Sequence, residues 1–255
     1  MALHDQISAA IGAAKQQGRT ALVGFLTAGF PTRDGFRDNL LAVASACDVV
    51  EIGVPFTDPM ADGTTIQRAS FAALAGGVSL QWIIAQLREL SPRPAAPIVL
   101  MSYLNPLLAY GLDRLPGDAA RACVAGFIVP DLPFEESDTL KAALAREGIA
   151  LVQMVSPVTP AARLARLCAA AQGFIYAVTM TGTTGKSAAV PDDVLAYMDR
   201  VRKVAPIPVC AGFGIRTRDQ VALFGAHVDG VVVGSALIET LERGEDPRAF
   251  LASLR

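Results

Sequence analysis

Histidine is nearly absent from this 255-residue chain: His4 and His227 are the only two, and they share no motif. An imidazole-based metal centre is therefore not expected. Cysteine is sparse too. Cys47, Cys123, Cys168 and Cys210 are scattered, with no CxxC, as for reduced core thiols in a cytosolic protein. Charged residues make up only 18%, with a formal net charge of −2, which argues against the basic footprint of a nucleic-acid binder. No apolar stretch reaches the roughly 18 residues that suggest a membrane span. The opening Met1-Ala-Leu-His-Asp-Gln6 lacks the basic-then-apolar order of a secretory signal. A cytoplasmic protein without a nucleic-acid or membrane partner is the expectation. Lysine is also scarce: Lys15, Lys141, Lys186 and Lys203 all lie outside the strand-like runs, which disfavours a Schiff-base lysine.

What is present is apolar residue, 52% of the chain, arranged in a regular alternation. Short β-branched runs cover Ala21–Thr27, Val49–Val54, Pro97–Tyr103, Gly126–Pro130, Ala150–Ser156, Phe174–Thr179, Pro208–Phe213 and Gly230–Gly234. They read as continuous apolar runs, the pattern of parallel strands covered on both faces. Amphipathic segments separate them. Thr32-Arg-Asp-Gly35 is expected to start a helix after Pro31, and Phe134-Glu-Glu-Ser-Asp138 another. Thr159-Pro160 caps a third, with Pro at the first helical position. Pro191-Asp-Asp-Val194 and Asp219-Gln-Val221 open two more. Eight β–α units in series predict an α/β protein, a (β/α)8 TIM barrel, with an extra N-terminal helix over Leu3 to Gln16 covering the barrel bottom. No linker or composition shift divides the chain, so residues 1–255 are expected to form a single domain.

Barrel enzymes build their sites at the C-terminal ends of the strands. There the second run carries Glu51, and the loop after it carries Asp58 and Asp62. Glutamate in a doubly covered strand is costly unless it does chemistry or is paired. Burial between Val50 and Ile52 should raise its pKa toward working pH and suit it to proton transfer; the alternative is a structural ion pair with an arginine. Asp62, before Gly63, reads equally as a turn or helix-capping residue. Asp131, in Pro130-Asp-Leu-Pro133, reads mainly as a loop-fixing residue, and Tyr103 and Tyr176 suit the core as well as a pocket. Gly212-Phe-Gly214 after the seventh run and Gly234-Ser235 after the eighth each precede a helix, which is the form of a backbone phosphate cradle. With no lysine, histidine or activated cysteine at a strand end, the residues point to acid–base catalysis on a phosphorylated substrate.

Six segments carry a family resemblance. Glu51-Ile-Gly-Val-Pro-Phe-Thr-Asp-Pro-Met-Ala-Asp-Gly63, followed by Thr65-Ile-Gln67, is the most specific. Gly24-Phe-Leu-Thr-Ala-Gly-Phe-Pro31, Met101-Ser-Tyr-Leu-Asn-Pro106, Ile128-Val-Pro-Asp-Leu-Pro133, Ala211-Gly-Phe-Gly-Ile215 and Gly234-Ser-Ala236 follow the same collinear order. Together they resemble the tryptophan synthase α-subunit family across nearly the whole chain. The resemblance implies a lyase that cleaves indole-3-glycerol phosphate to indole and glyceraldehyde 3-phosphate. It implies Glu51 and Asp62 as the catalytic carboxylates, Asp62 holding the indole N–H and Glu51 handling the protons. Phosphate binding carries over to Gly185, Gly214, Gly234 and Ser235, and indole or glycerol contact to Phe25, Leu100, Tyr103 and Tyr176. Thr184 matches a lid position over the site, and Pro55 and Asp58 match positions that touch a β-subunit. That partner, in an αββα heterotetramer, would carry pyridoxal phosphate; this chain would carry no cofactor of its own and no metal. A stand-alone indole-releasing lyase and a non-catalytic, partner-activating homologue are the alternatives.

The chain departs from the family pattern in places. Met180 and Thr183 stand in the lid segment, Ser156-Pro-Val-Thr-Pro160 replaces a commoner Pro-Thr-Thr-Pro, and Ala122-Cys-Val-Ala-Gly126 replaces Ala-Gly-Val-Asp-Gly. None of these touches Glu51 or Asp62.

Overall fold

The computed structural model describes residues 1–179, 192–212 and 214–255. Among them are nine strand segments: β1 (Ala21–Thr27), β2 (Val49–Gly53), β3 (Ile98–Met101), β4 (Val124–Ile128), β5 (Ala150–Leu151), β6 (Gln153–Val155), β7 (Ile175–Val178), β8 (Val209–Gly212) and β9 (Gly230–Val233). All paired strands are parallel, in the order β5-β4-β3-β2-β1-β9-β8-β7-β6. Only Val152 separates β5 from β6. The first half of this fifth strand pairs with β4 and the second half with β7, so the two share one position in the wall. The result is the expected eight-position barrel with its fifth strand broken.

Twelve α-helices surround it among the described residues. They are α1 (Leu3–Gln16), α2 (Phe36–Ala44), α3 (Thr64–Ala75), α4 (Leu80–Arg88), α5 (Leu104–Tyr110), α6 (Leu115–Arg121), α7 (Asp138–Arg146), α8 (Ala161–Ala170), α9 (Asp192–Val204), α10 (Arg218–Gly225), α11 (Ser235–Glu242) and α12 (Pro247–Ser253). Helix α1 matches its expected span. Helix α2 starts later than Thr32, because the Thr32 hydroxyl accepts the Gly35 N–H at 3.2 Å and folds the segment into a turn first. Phe134–Glu136 forms a short 3₁₀ turn ahead of α7, and Pro160 is the cap of α8 rather than its first residue. Strand β4 begins two residues before its expected start. A register irregularity opposite Ile98/Val99 inserts Ala125 there and shifts the apolar alternation.

Two apolar layers result from the alternation of side chains along the strands. Leu22, Leu26, Val50, Ile52, Leu100 and Phe127 face the helices in the outer layer. Ala21, Val23, Phe25, Val49, Val99 and Phe174 face the barrel interior. Ile7 and Ile11 of α1 join that inner layer, closing the N-terminal end of the cylinder. Gly126 and Gly173 leave room for the plug: a Cβ on either would stand 3.1–3.2 Å from Ile7 Cδ1.

The N-terminal rim is tied by two aspartates, each preceding a strand, whose side chains are only 8% exposed. Asp48 accepts the Leu22 N–H and the Arg19 guanidinium, both at 2.8 Å, and Arg255 at 3.1 Å. Asp229 accepts the Val209 N–H at 3.0 Å and Lys15 at 2.8 Å. Each ion is buried but fully occupied, and removing one strands its partners. Asp48→Ala is expected to destabilise the protein by ~2–4 kcal/mol in urea titration. A loss under ~0.5 kcal/mol, the size of an ordinary surface substitution, contradicts this account.

Candidate active site

Strand register aims Glu51 into the barrel. It alternates with Val49 of the inner layer and pairs in register with Phe25 on β1 and Val99 on β3, both also inner. The residue is 1% exposed, and neither carboxylate oxygen has a hydrogen-bond partner among the described residues. Among the described residues no arginine meets it, so the ion-pair alternative is not borne out there. Burial pushes its pKa up to about 8, and the charge of Asp62 adds to the effect.

Asp62 reaches the same space from the loop between β2 and α3. The loop is clamped twice. The Tyr103 hydroxyl accepts the Ala61 N–H at 2.8 Å, and the Gln67 side-chain amide donates to the Asp62 carbonyl at 2.8 Å. Tyr103 is itself fixed by stacking on Phe56, with ring centroids 5.1 Å apart. Burial raises the Asp62 pKa to about 6, and the Tyr103 hydroxyl pulls it partly back. The two acids are thus ordered: Asp62 ionises first, and Glu51 then holds its proton against that charge through neutral pH. Tyr176, on β7, lies in the field of both carboxylates, which together with burial keeps its phenol firmly protonated.

Phe25 bridges this acid pair to the late strands. A Cβ on Gly53 would sit 2.6 Å from the Phe25 ring and one on Gly234 3.8 Å from it, so the ring occupies the space between the ends of β2 and β9. Gly212 is equally committed, since a Cβ there would collide with the Tyr176 ring at 2.1 Å. Gly234 is the cap residue of α11, and Ser235 its first residue. The first N–H groups of a helix have no intrahelical acceptor and present partial positive charge. Gly214, just past the end of the neighbouring β8, has φ +35 and open space where a Cβ would point. The two glycine turns therefore sit side by side on the rim that carries Glu51 and Asp62.

Several expectations change. Leu100 does not face the interior: it is fully buried in the outer layer, in register with Ile52 and Phe127, and its neighbour Met101 takes the inward position. The period-two alternation decides this, and the apolar run alone does not reveal its phase. Pro55 is buried in the isolated chain, whereas Asp58 is exposed beside Met60, which is 93% exposed. Asp131 serves its loop, accepting the Leu104 N–H at 2.9 Å at the start of α5. Gly185 and Thr184, with Met180 and Thr183, lie outside the described residues. Gln67 was not among the expected site residues. Its place in the first turn of α3, five residues after Asp62, was the available signal.

The model of the tryptophan synthase alpha chain family matches residues 11–254. A tryptophan synthase alpha chain from Solidesulfovibrio magneticus is 44% identical over 239 residues, covering 93% of both chains. One from Roseiflexus castenholzii is 46% identical, covering 92% of this chain and 90% of its own. Among solved structures, tryptophan synthase from M. tuberculosis in its aminoacrylate-bound form superposes with a TM-score of 0.87 at 34% identity, covering 98% of this chain and 97% of the other. The alpha subunit from Legionella pneumophila gives a TM-score of 0.88 at 30% identity, covering 100% and 97%.

The raised pKa of Glu51 makes stability depend on pH. The folded state holds a proton that the unfolded state releases near pH 4.5, so the contribution is complete below that pH and is lost as pH rises toward 8. Glu51→Gln removes the titration. Between pH 4 and pH 9 the variant should gain roughly 3–5 kcal/mol relative to the parent in urea-denaturation free energy. Parallel stability–pH curves for the two proteins would refute the burial of a titrating Glu51.

Proposed function

Because the chain belongs to the tryptophan synthase alpha chain family, we propose that it performs the α-reaction of tryptophan biosynthesis. In that reaction indole-3-glycerol phosphate undergoes retro-aldol cleavage to indole and glyceraldehyde 3-phosphate. The observation that carries this reading is the ordered acid pair. A protonated Glu51, without a partner among the described residues, stands in the same space as an ionised Asp62, at the mouth that also holds the glycine turns.

The phosphate sits on the main-chain amides at Gly214, Gly234 and Ser235, where glycine admits close approach and the start of α11 supplies positive potential. The indole lies inward against Phe25, Met101 and Tyr176. Glu51 delivers its proton to ring carbon C3, converting the indole to an indolenine whose nitrogen carries positive charge. Asp62 holds the N–H and stabilises that charge, which is worth most where water is excluded. Glu51, now a carboxylate, takes the proton from the adjoining glycerol hydroxyl. As the aldehyde C=O forms, the carbon–carbon bond to the ring breaks and its electron pair restores the aromatic indole. The ring is its own electron sink, so the step balances with two carboxyl groups and no lysine.

Met60 and Val158, both highly exposed, and half-exposed Leu108 ring the same rim in the loops after β2 and β6 and on α5. Apolar exposure around the mouth suits a docked β partner that receives indole and holds pyridoxal phosphate itself. The acidic, low-histidine chain with four unpaired thiols fits a cytoplasmic setting.

Indole release from indole-3-glycerol phosphate tests the chemistry. Glu51→Gln and Asp62→Asn should each lower kcat by at least ~10²-fold with the circular-dichroism spectrum unchanged. Parent-like turnover in either variant removes that residue from its assigned role. Met60→Asp should weaken association with a β-subunit about tenfold or more in a sedimentation or titration assay while leaving cleavage by the isolated chain intact. Unaltered association would place the contact elsewhere.

A further inference from the structure

The two glycine turns lie past the last rung that joins their strands. The ladder between β8 and β9 ends at the Gly212–Val232 pair. Among the described residues beyond it, no main-chain hydrogen bond joins the Gly214 turn to the Gly234 turn. A phosphate held by both binds best where their separation is set beforehand. Side chains make the link. The Arg216 guanidinium donates to both carboxylate oxygens of Glu239, through Nη2 to Oε2 and through Nη1 to Oε1 at 3.4 Å. Arg216 stands two residues after Gly214. Its N–H donates to the Gln220 side chain at 2.8 Å, and Ile215 before it is buried, so its main chain is seated at the entry to α10. Glu239 stands one turn beyond Ser235 on the same face of α11.

A third element meets the same carboxylate. The hydroxyl of Thr65, in the first turn of α3 and three residues after Asp62, lies 3.5 Å from Glu239 Oε1. One turn further, Arg68 donates to both oxygens of Glu242, at 3.1 and 2.5 Å. Thr65 and Arg68 on α3 thus face Glu239 and Glu242 on α11 at matched i, i+3 spacing. The Arg216–Glu239 pair is partly exposed, and exposed pairs contribute little to stability. Its forked geometry, however, fixes orientation.

We propose that Glu239 is a positioning residue. Its carboxylate clasps Arg216 so that the Gly214 and Gly234 turns keep the spacing of one phosphate group, with Thr65 bracing the clasp from α3. This rests on the reading that the phosphate binds at those turns. Charge alone predicts something different. Removing the Glu239 anion would then tighten phosphate binding, and removing the Arg216 cation would weaken it. A clasp is opened from either side, so both changes weaken binding.

Indole release from indole-3-glycerol phosphate, with inorganic phosphate as competitive inhibitor, separates these cases. Glu239→Gln and Arg216→Gln should each raise KM, and the inhibition constant of phosphate, about five- to tenfold, with kcat within about twofold of the parent. The double variant should be no worse than either single one, because the second change removes a partner already lost. Unchanged or tighter phosphate inhibition in Glu239→Gln overturns the proposal, whatever happens to stability. Additive losses in the double variant, or a loss confined to kcat, overturn it too. Ser235→Asp, which sets a carboxylate in the cradle, should abolish phosphate inhibition. If it leaves inhibition at the parent level, the placing of the phosphate fails instead, which distinguishes the two failures.

Discussion

Two carboxyl groups share one water-poor space at the mouth of this barrel, and they cannot both be ionised without cost. That repulsion, added to burial, sets their order: Asp62 yields its proton first, and Glu51 keeps one through neutral pH. Much of the surrounding structure serves to maintain this inequality. Val49 and Val99 exclude water from below and beside Glu51, while Tyr103 and Gln67 hold the Asp62 loop from outside. Asp62 is stabilised as an anion by the Tyr103 hydroxyl, whereas Glu51 meets no donor among the described residues. An acid and an anion of related chemistry thus acquire different work from position alone.

The cylinder divides its tasks by end. Buried charges on the N-terminal rim are saturated: Asp48 and Asp229 each hold a neighbouring strand's N–H and at least one cation. Buried polar groups at the C-terminal ends of β1 and β2 are left open among the described residues, with Thr27 Oγ1 and both Glu51 oxygens lacking partners there. Satisfied groups stabilise the fold at one rim, and at the other rim the described residues leave polar groups open, so the same residue types stand in opposite settings at opposite rims.

The sequence announced the barrel because parallel strands buried on both faces leave long apolar runs, and Ala21–Thr27 and Leu3–Gln16 agree with their observed spans. It announced Glu51 for the same reason, as a charge in the wrong place. What it did not disclose is phase. Leu100 and Met101 are adjacent in one apolar run, and only the register with β2 and β4 decides which faces the cavity. The irregularity at Ala125 was invisible too, because alanine fits either side. Exposure is a property of the folded loop, so Pro55 and Met60 could not be ranked as contact residues before their packing was known. Gln67 acts through its amide on a main-chain carbonyl, a contact that leaves no spacing motif behind.

The interrupted fifth strand has a mechanical consequence. Seven of the eight wall positions are continuous ribbons laddered to their neighbours on both sides, whereas β5 grips only β4 and β6 grips only β7. The hoop is therefore fastened at Val152 by the covalent backbone, with the Val152 N–H to the Phe127 carbonyl, at 2.9 Å, as the last rung before β4 and β6 diverge. Above that rung a cleft of about 420 Å³ opens, lined by residues such as Pro130, Gln153, Ser156 and Arg163. Outward strain on the C-terminal mouth concentrates along this slit, because widening it breaks no interstrand bond. The C-terminal mouth thus has one stretch of wall joined by covalent backbone alone, while the base is plugged by α1 and tied by ion pairs.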